Sequence, residues 1–581
     1  MMTCPVSELG KQSASQVNLN VLPILKIQEN SILRISCQSQ IRNMPEGPKA
    51  DFLKALGFAS DLDDEDISNA VSVLISAAVH DDTPEKPLEV IYHTLSQFDG
   101  ISYLDPLSVL PILLPSGRPE SSKLVSMIGY GSSAKEVMIA VQESVEQLKS
   151  SLESSEDQEY PETSVQQIIN TLTLCTAFVP RLKLGKRTAY TTIAPLVSDL
   201  QRLISSAGVP VSRNQGRQLI NDAARLVKVL YIWATSSSSL TETTQTKELL
   251  INLMNAAVST CSSWIQSTLA ARLFEARFPR LVLSSAVEAG WEEGDQAIVH
   301  ALDALAALEV SANSLIERPS LNNLIYLAHS PTPLPPPLSV LSDFLPYFLL
   351  SIQRNVALDE TLFLLLDSLL RLHSRLPRQD LPADIVSTLL TVLPALSSTH
   401  PDPFVRHLTL RLISLLLSMS PQHLRLEILA DLTSGENFPQ MRAAAIGLLK
   451  EAVLEGLTLA SASNVFASKV LLQVFGGVLF RTTPTDFLSI AHNAEEIQES
   501  LEPGRIVECL SFYYVLLQRD RENKTGVRDV DFISSVESSL LRPLRLFLQR
   551  WTQDTGEPLL PVISLQLSLD RVDDAVRALR Y

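Results

Sequence analysis

Two leucine-rich segments in the C-terminal half of the chain share one pattern of residues. Residues 400–421 read HPDPFVRHLTLRLISLLLSMSP, and residues 438–456 read FPQMRAAAIGLLKEAVLEG. Each contains a proline, an arginine three residues later and then apolar residues at helical spacing. The aligned pairs are Pro403 with Pro439 and Arg406 with Arg442. The two prolines stand 36 residues apart, a length that holds two helices and two turns.

This repetition predicts stacked helix pairs. An isolated pair cannot bury both of its apolar faces, whereas stacking gives every pair a neighbour, at about 1.5–3 kcal/mol for each large buried side chain. Asp402 can cap the first helix, and Gly456 can end the second in the left-handed conformation. We therefore expect an all-α fold, a HEAT/armadillo-like α-solenoid, although the unit is slightly shorter than the ~40–47 residues of typical repeats. Arg406 and Arg442 are predicted to tie one repeat to the next, with contact to a partner as the alternative.

Helical spacing does not cover the whole chain. The first 46 residues contain an isolated strand-like segment, ILRISC, and are predicted to be a flexible or irregular extension. The tract PTPLPPP cannot be helical, because proline removes backbone donors, and it is interpreted as a stiff linker or as a ligand for a small adaptor domain. The predicted parts are an extension over residues 1–46, a helical-repeat region over 47–330, a linker over 331–337 and a HEAT-like repeat region over 338–581.

Composition agrees with a helical fold and restricts the class of partner. Among 581 residues, 45% are hydrophobic, 19% are charged and only 20 are glycine, which favours helices that bury much surface. The net charge of -17 opposes binding to nucleic acid through a broad basic face and favours basic patches on a protein partner. We see no secretory signal and no apolar run long enough to span a bilayer, so we expect a cytoplasmic protein, with the nucleus as a second location.

No motif in the sequence predicts a catalytic, cofactor or metal site. GYGSSA at residues 129–134 matches a dinucleotide fingerprint, but the preceding residues read as a helix end and not as the required strand. The five cysteines lie far apart, without a CxxC pair, which argues against disulfides and a zinc site. They are Cys4, Cys37, Cys175, Cys261 and Cys509. We therefore expect no enzyme and no small-molecule substrate, with an unrecognised active site as the remaining alternative.

Two basic segments interrupt this acidic chain: PRLKLGKR at residues 180–187 and LRPLRLFLQRW at residues 541–551. Cations at a helix end that suit its dipole are the simpler explanation. The alternative is a docking surface, because arginine and tryptophan are common anchors in interfaces. The candidate partner-binding residues are Arg542, Arg545, Arg550 and Trp551.

Several segments resemble one known family. GYGSSAKEVMIAVQESVEQL, and FPQMRAAAIGLLKEAVLEG followed by FASKVLLQVFGGVLF, are similar to segments of the family that groups fungal YAP-binding stress proteins, the plant aberrant-lateral-root-formation protein and animal glomulin. The fungal branch is the most similar, and the resemblance covers roughly residues 50–560.

The resemblance implies a HEAT-like solenoid without a catalytic centre. Fungal members are associated with the oxidative-stress response through binding a bZIP transcription factor and aiding its activation, whereas glomulin caps the RING subunit of cullin-type ubiquitin ligases with its C-terminal helices. The expected partner is therefore a bZIP factor or its activator, or alternatively that RING subunit. An unrelated HEAT-type adaptor in proteasome assembly or transport is the second alternative.

Overall fold

The computed structural model describes residues 46–579, apart from residues 60–61, 82, 155–161, 209–211, 237–238, 283, 375–379, 436–437, 459–463, 491 and 555–558. The predicted N-terminal extension lies outside the described residues, except for its last residue.

Every regular element of the described residues is a helix. The first fifteen α-helices are α1 Glu46–Leu56, α2 Asp64–His80, α3 Leu88–Gln97, α4 Pro106–Leu113, α5 Pro119–Gly131, α6 Ala134–Ser154, α7 Glu162–Phe178, α8 Ala189–Ser206, α9 Arg213–Thr235, α10 Leu240–Thr260, α11 Ser262–Ile265, α12 Leu269–Arg277, α13 Trp291–Ala307, α14 Ala312–Glu317 and α15 Leu321–Ala328. The remainder are α16 Pro337–Asp343, α17 Leu345–Arg354, α18 Leu358–His373, α19 Ala383–Thr399, α20 Pro403–Ser418, α21 Gln422–Ser434, α22 Pro439–Thr458, α23 Val470–Leu479, α24 Ala494–Glu499, α25 Glu502–Arg519, α26 Val530–Val536, α27 Arg542–Asp554 and α28 Leu560–Ala578. The prediction of an all-α fold is confirmed.

The repeated pattern forms the helices α20 and α22. Asp402 caps α20 by accepting a hydrogen bond from the Phe404 N–H at 2.8 Å, and Pro403 and Pro439 are the first residues of the two helices. The predicted apolar stripes are buried, except that Val405 is only half-buried. The buried members are Leu408, Leu412, Leu415 and Leu416 in α20, Met419 directly after it, and Met441, Ala445, Leu448, Leu449, Ala452 and Val453 in α22.

The predicted end of the second helix is wrong. Gly456 lies inside α22, which continues to Thr458, and it does not adopt the left-handed conformation. A Cβ atom at this position would lie 3.1 Å from the side chain of Asn464, which follows the helix. The glycine therefore allows a close approach of the following segment, and it does not terminate the helix.

Helices pack mainly against neighbours one or two positions along the chain. In the N-terminal part, α3, α5, α7, α9 and α13 contact one another in that order, and α2, α4, α6, α8 and α10 form a second series. In the C-terminal part the order of contacts is α16, α18, α20, α22, α25 and α28. The buried apolar residues form one continuous cluster from Phe52 to Val576, so the core runs along the succession of helices.

The proline-rich tract follows α15, and its last residue, Pro337, is the first residue of α16, against the prediction that no part of it is helical. Helix α15 packs on both α17 and α18 beyond the tract. Asp359 of α18 also caps α12, because its carboxylate accepts hydrogen bonds from the N–H groups of Leu269 at 2.7 Å and Ala270 at 2.9 Å. Helices on the two sides of the tract are thus in contact. The division of the chain at residues 331–337 stays a prediction.

A buried histidine lies at this junction. The side chain of His329 is fully buried, its Nδ1 lies 2.7 Å from Asp295 Oδ1, and its Nε2 lies 3.5 Å from Glu360 Oε1. Burial alone would lower the pKa of His329, but the hydrogen bonds to Asp295 and Glu360 outweigh it and raise the pKa to about 9. The imidazole is therefore a cation at neutral pH, held between two helices by carboxylates.

This cation predicts a pH dependence of stability. Because the folded pKa is raised above the unfolded value of 6.5, the stabilisation is complete below pH 6.5 and is lost as pH rises through 9. The total is ~3 kcal/mol, since one pKa unit corresponds to about 1.4 kcal/mol. We expect the wild type to lose more stability than His329→Gln between about pH 7 and about pH 10 in urea unfolding. Parallel losses in the two proteins would contradict this role of His329.

Candidate protein-interaction surface

The predicted docking residues lie in α27, near the C-terminal helices α25 and α28. One face of α28 packs on α25 through buried apolar side chains. These are Val562, Leu565, Leu569, Val572 and Val576. Helix α28 also contacts α27 through an ion pair between Asp573 and Arg545.

Arg545 bonds to two carboxylates of its own chain. Its Nη2 lies 2.6 Å from Asp573 Oδ1, and its Nη1 lies 2.5 Å from Glu537 Oε1. The hydrogen bonds to Asp573 and Glu537 raise the pKa of Arg545, so the guanidinium stays charged. Its side chain is 37% exposed. A partner that used Arg545 would have to share it with these carboxylates.

Two other candidate residues also support the fold. Arg550 donates hydrogen bonds to the backbone oxygens of Leu488 and Ser489, and thereby holds the loop before α24. Trp551 is only 6% exposed and packs beside Phe547. Arg542 and Arg550 are both exposed, whereas Trp551 is buried. The structure therefore does not bring the four predicted residues together as one exposed cluster, and their role in binding stays a prediction.

An apolar stripe that sequence analysis missed lies on the exposed face of α28. Leu560, Ile563 and Leu567 are 76%, 42% and 56% exposed, and their spacing places them along one side of the helix. We call these three residues the α28 stripe. The sequence contained a signal for this stripe, because LPVISLQLSLDRV places apolar residues on two different sides of a helix. Helix α25 can cover only one of those sides. Exposed apolar residues in line on a helix are typical of a site that binds another protein.

The repeat arginines bond close to their own helices. Arg406 donates to the backbone oxygens of His400 at 2.6 Å and Pro401 at 2.9 Å, which braces the turn between α19 and α20. Arg442 donates to Thr433 O at 3.4 Å and to Thr483 Oγ1 at 3.0 Å, so it connects α21 with the loop after α23. Of the two arginines, only Arg442 has among these contacts a residue that follows its own helix in the chain, namely Thr483. The general role of both residues stays a prediction.

A polar groove between α5, α7, α9 and α13 is the place where an active site would be sought. Burial raises the pKa of Asp222 in this groove, while Arg225 and the polar side chains of Gln218 and Thr173 partly offset that effect. The hydroxyl groups that line it are engaged, since Ser122 donates to Asn170 Oδ1 at 2.9 Å and Thr173 donates to the backbone.

The described residues contain no cluster of three or more His, Cys, Asp and Glu side chains placed to bind a metal ion. None of the helices in this part of the chain combines the length and apolar character that crossing a bilayer requires.

The three cysteines in the described residues are buried and free. Burial raises the pKa of Cys175, Cys261 and Cys509 to about 12. Arg505 opposes this shift at Cys509 but does not overcome it. The thiolate is the reactive form of cysteine, so these three thiols are poorly suited to sense an oxidant directly. Cys4 and Cys37 lie outside the described residues.

Alkylation of the native protein tests this conclusion. We expect Cys175, Cys261 and Cys509 to remain unmodified by a maleimide at neutral pH and to react fully in denaturant, as measured by peptide mass spectrometry. The denatured sample controls for the intrinsic reactivity of each site. Rapid modification of any of the three in the folded protein would show that the thiol is accessible and activated.

A chain whose described elements are all helices, with an apolar stripe exposed on α28, has the features of a protein-interaction protein. The comparison with known families gives a more specific assignment. Residues 328–561 match the model of a family described as YAP/Alf4/glomulin, so this part of the chain is similar to that family. The resemblance found in the sequence is thereby confirmed. No curated protein matches the chain.

Proposed function

We propose that this protein is a non-enzymatic helical-repeat interaction protein that binds a bZIP-type transcription factor, or the activator of such a factor, in the cellular response to oxidative stress. Its helices form a HEAT/armadillo-like α-solenoid, and it acts in the cytoplasm and also in the nucleus. The family match over residues 328–561 supports the protein-binding class. The succession of contacts from α16 to α28 supports the solenoid, because each helix packs on neighbours close in sequence.

The observation that carries this proposal is the α28 stripe. Three large apolar side chains that stay exposed to water do not stabilise the fold of the chain that carries them. A partner that covers them adds about 25 cal/mol of binding free energy for each Å² of apolar surface buried. A polypeptide partner fits this stripe better than a small molecule, since small-molecule sites are concave. In this proposal the chain acts on its partner by binding alone and catalyses no chemical step.

A glomulin-like regulator of cullin-RING ubiquitin ligases is the second candidate function. It is favoured by the position of the stripe on the last helix, because glomulin contacts the RING subunit with its C-terminal helices. The stripe begins at Leu560, near the end of the matched residues. The family match makes both functions better supported than an unrelated HEAT-type adaptor in proteasome assembly or transport.

Affinity purification from peroxide-treated and untreated cells distinguishes these functions. We expect a bZIP factor or its activator to be recovered, with more after peroxide treatment. A cullin with its RING subunit, recovered equally under both conditions, would replace the first function by the second. Recovery of proteasome base subunits or transport cargo, with neither of the other partners, would contradict both.

A further inference from the structure

A cationic segment connects α7 with α8. Residues 180–187 follow α7 and overlap a short 3-10 turn, Val179–Arg181. Arg181 is half-buried and donates hydrogen bonds to the backbone oxygens of Gly129 and Ser132. The remaining cations of the segment are exposed to solvent. They are Lys183, Lys186 and Arg187, which we call the cationic patch.

The cationic patch makes no ion pair with any residue that the structure describes. Three exposed cations elsewhere each bind a carboxylate one helical turn away. These pairs are Lys123 with Glu120, Arg202 with Asp199, and Arg577 with Asp574. The chain contains 64 acidic and 47 basic residues, so carboxylates are plentiful on its surface. The patch is therefore a group of three exposed cations, close in sequence, whose charges no described carboxylate neutralises at ion-pair distance.

The position of Lys186 and Arg187 does not favour the helix that follows them. Lys186 and Arg187 stand directly before α8, whose N-terminus is capped by Thr188 through the Thr191 N–H. The N-terminal end of a helix carries partial positive charge, so anions are favoured there and cations are not. The helix-dipole explanation for this segment holds for Arg181, at the end of the preceding turn, but it is wrong for Lys186 and Arg187.

An exposed aromatic side chain lies on the neighbouring turn. The contacts of Arg181 with Gly129 and Ser132 bring the turn between α5 and α6 against the cationic segment. Tyr130, near the end of α5, is 64% exposed. Tyrosine and arginine are enriched in protein interfaces relative to the rest of the surface. The surroundings of the patch thus have the composition of a contact surface.

We propose that the cationic patch binds an acidic polypeptide segment of a partner protein. Carboxylates form charge-assisted hydrogen bonds with lysine and arginine, and a short run of them matches three cations in a row. Duplex nucleic acid is a poorer match, because its binders commonly make about 6–10 phosphate contacts. The net charge of -17 also repels a long phosphate backbone, whereas a short peptide contacts the patch alone.

Fluorescence anisotropy with a labelled oligo-glutamate peptide tests this proposal on the full-length protein. The test variant is Lys183→Gln/Lys186→Gln/Arg187→Gln. The matched control, Lys123→Gln/Arg202→Gln/Arg577→Gln, changes the net charge equally but removes cations that already have carboxylate partners. Circular dichroism confirms that both variants are folded. A single-stranded oligonucleotide of the same charge is the competing probe.

We expect the wild type to bind the peptide, with an affinity that falls as salt is raised. The test variant should bind about tenfold more weakly or not at all, whereas the control variant should bind within about twofold of the wild type. Absence of peptide binding to the wild type would overturn the proposal. Equal losses of affinity in the two variants would show that the peptide is attracted by the overall charge and not by the patch. Tighter binding of the oligonucleotide than of the peptide would show a nucleic-acid site. Either result would also overturn the proposal.

Discussion

Replacing Gly294 by alanine should destabilise the protein by about 3 kcal/mol or more, the upper part of the range for overpacked cores. A Cβ atom at Gly294 of α13 would lie 1.8 Å from the backbone oxygen of Ile265 and 2.9 Å from its carbonyl carbon. Backbone atoms cannot rotate away as a side chain can, so α11 and α13 would have to separate. Arg217 also donates to Ile265 O at 2.9 Å, and that hydrogen bond would be lost with the separation.

Gly447→Ala is the matched control for this prediction. Gly447 lies within α22, and a Cβ atom there would have no neighbour within 4 Å. We expect this variant to be more stable than the wild type by roughly 0.5–1 kcal/mol, because alanine is the better helix former. Urea unfolding followed by circular dichroism measures both variants. An unchanged midpoint for Gly294→Ala would contradict the close packing of α13 on α11.

Replacing Arg505 by methionine should cost about 3–5 kcal/mol, the usual effect of breaking a buried ion pair from one side. Glu502 and Arg505 are 6% and 3% exposed, and Arg505 Nη2 lies 2.6 Å from Glu502 Oε1. Glu502 also accepts a hydrogen bond from the Thr483 N–H at 2.7 Å, and Arg505 donates to Arg481 O. Without the guanidinium, a carboxylate would remain buried and unpaired.

The exposed pair of Arg577 with Asp574 provides the control. These side chains are 69% and 72% exposed, so Arg577→Met should change the stability by less than about 1 kcal/mol. The double variant Glu502→Gln/Arg505→Met should recover part of the stability lost in Arg505→Met, because no uncompensated charge remains. Equal stability of the single and double variants in urea unfolding would show that charge burial is not the cause.

Much of the fold follows from local rules that the sequence contains. The spacing of apolar residues in α20 and α22 and the cap at Asp402 depend on residues within a few turns. Gly456 could not be interpreted in the same way. Its role depends on the approach of Asn464, and sequence patterns do not give tertiary distances.

The candidate site was predicted less well for the same reason. The sequence indicates that Arg545 is charged, but not that Asp573, 28 residues away, lies beside it. Likewise, the two apolar phases of α28 are visible in the sequence, but the choice of the buried phase depends on α25. Residues that bond to distant parts of the chain therefore have to be assigned from the structure.

The most direct test of the account measures whether the α28 stripe binds the partner. Purified wild-type protein and Ile563→Glu/Leu567→Glu are titrated with the purified partner recovered from cells, by isothermal calorimetry. Val73→Glu/Ile232→Glu, which alters two residues that are each 68% exposed on other helices, is the control. The account predicts that the stripe variant loses binding, since a charge placed in a desolvated apolar contact is strongly unfavourable. The control variant should bind as the wild type does. Undiminished binding by the stripe variant would contradict the account.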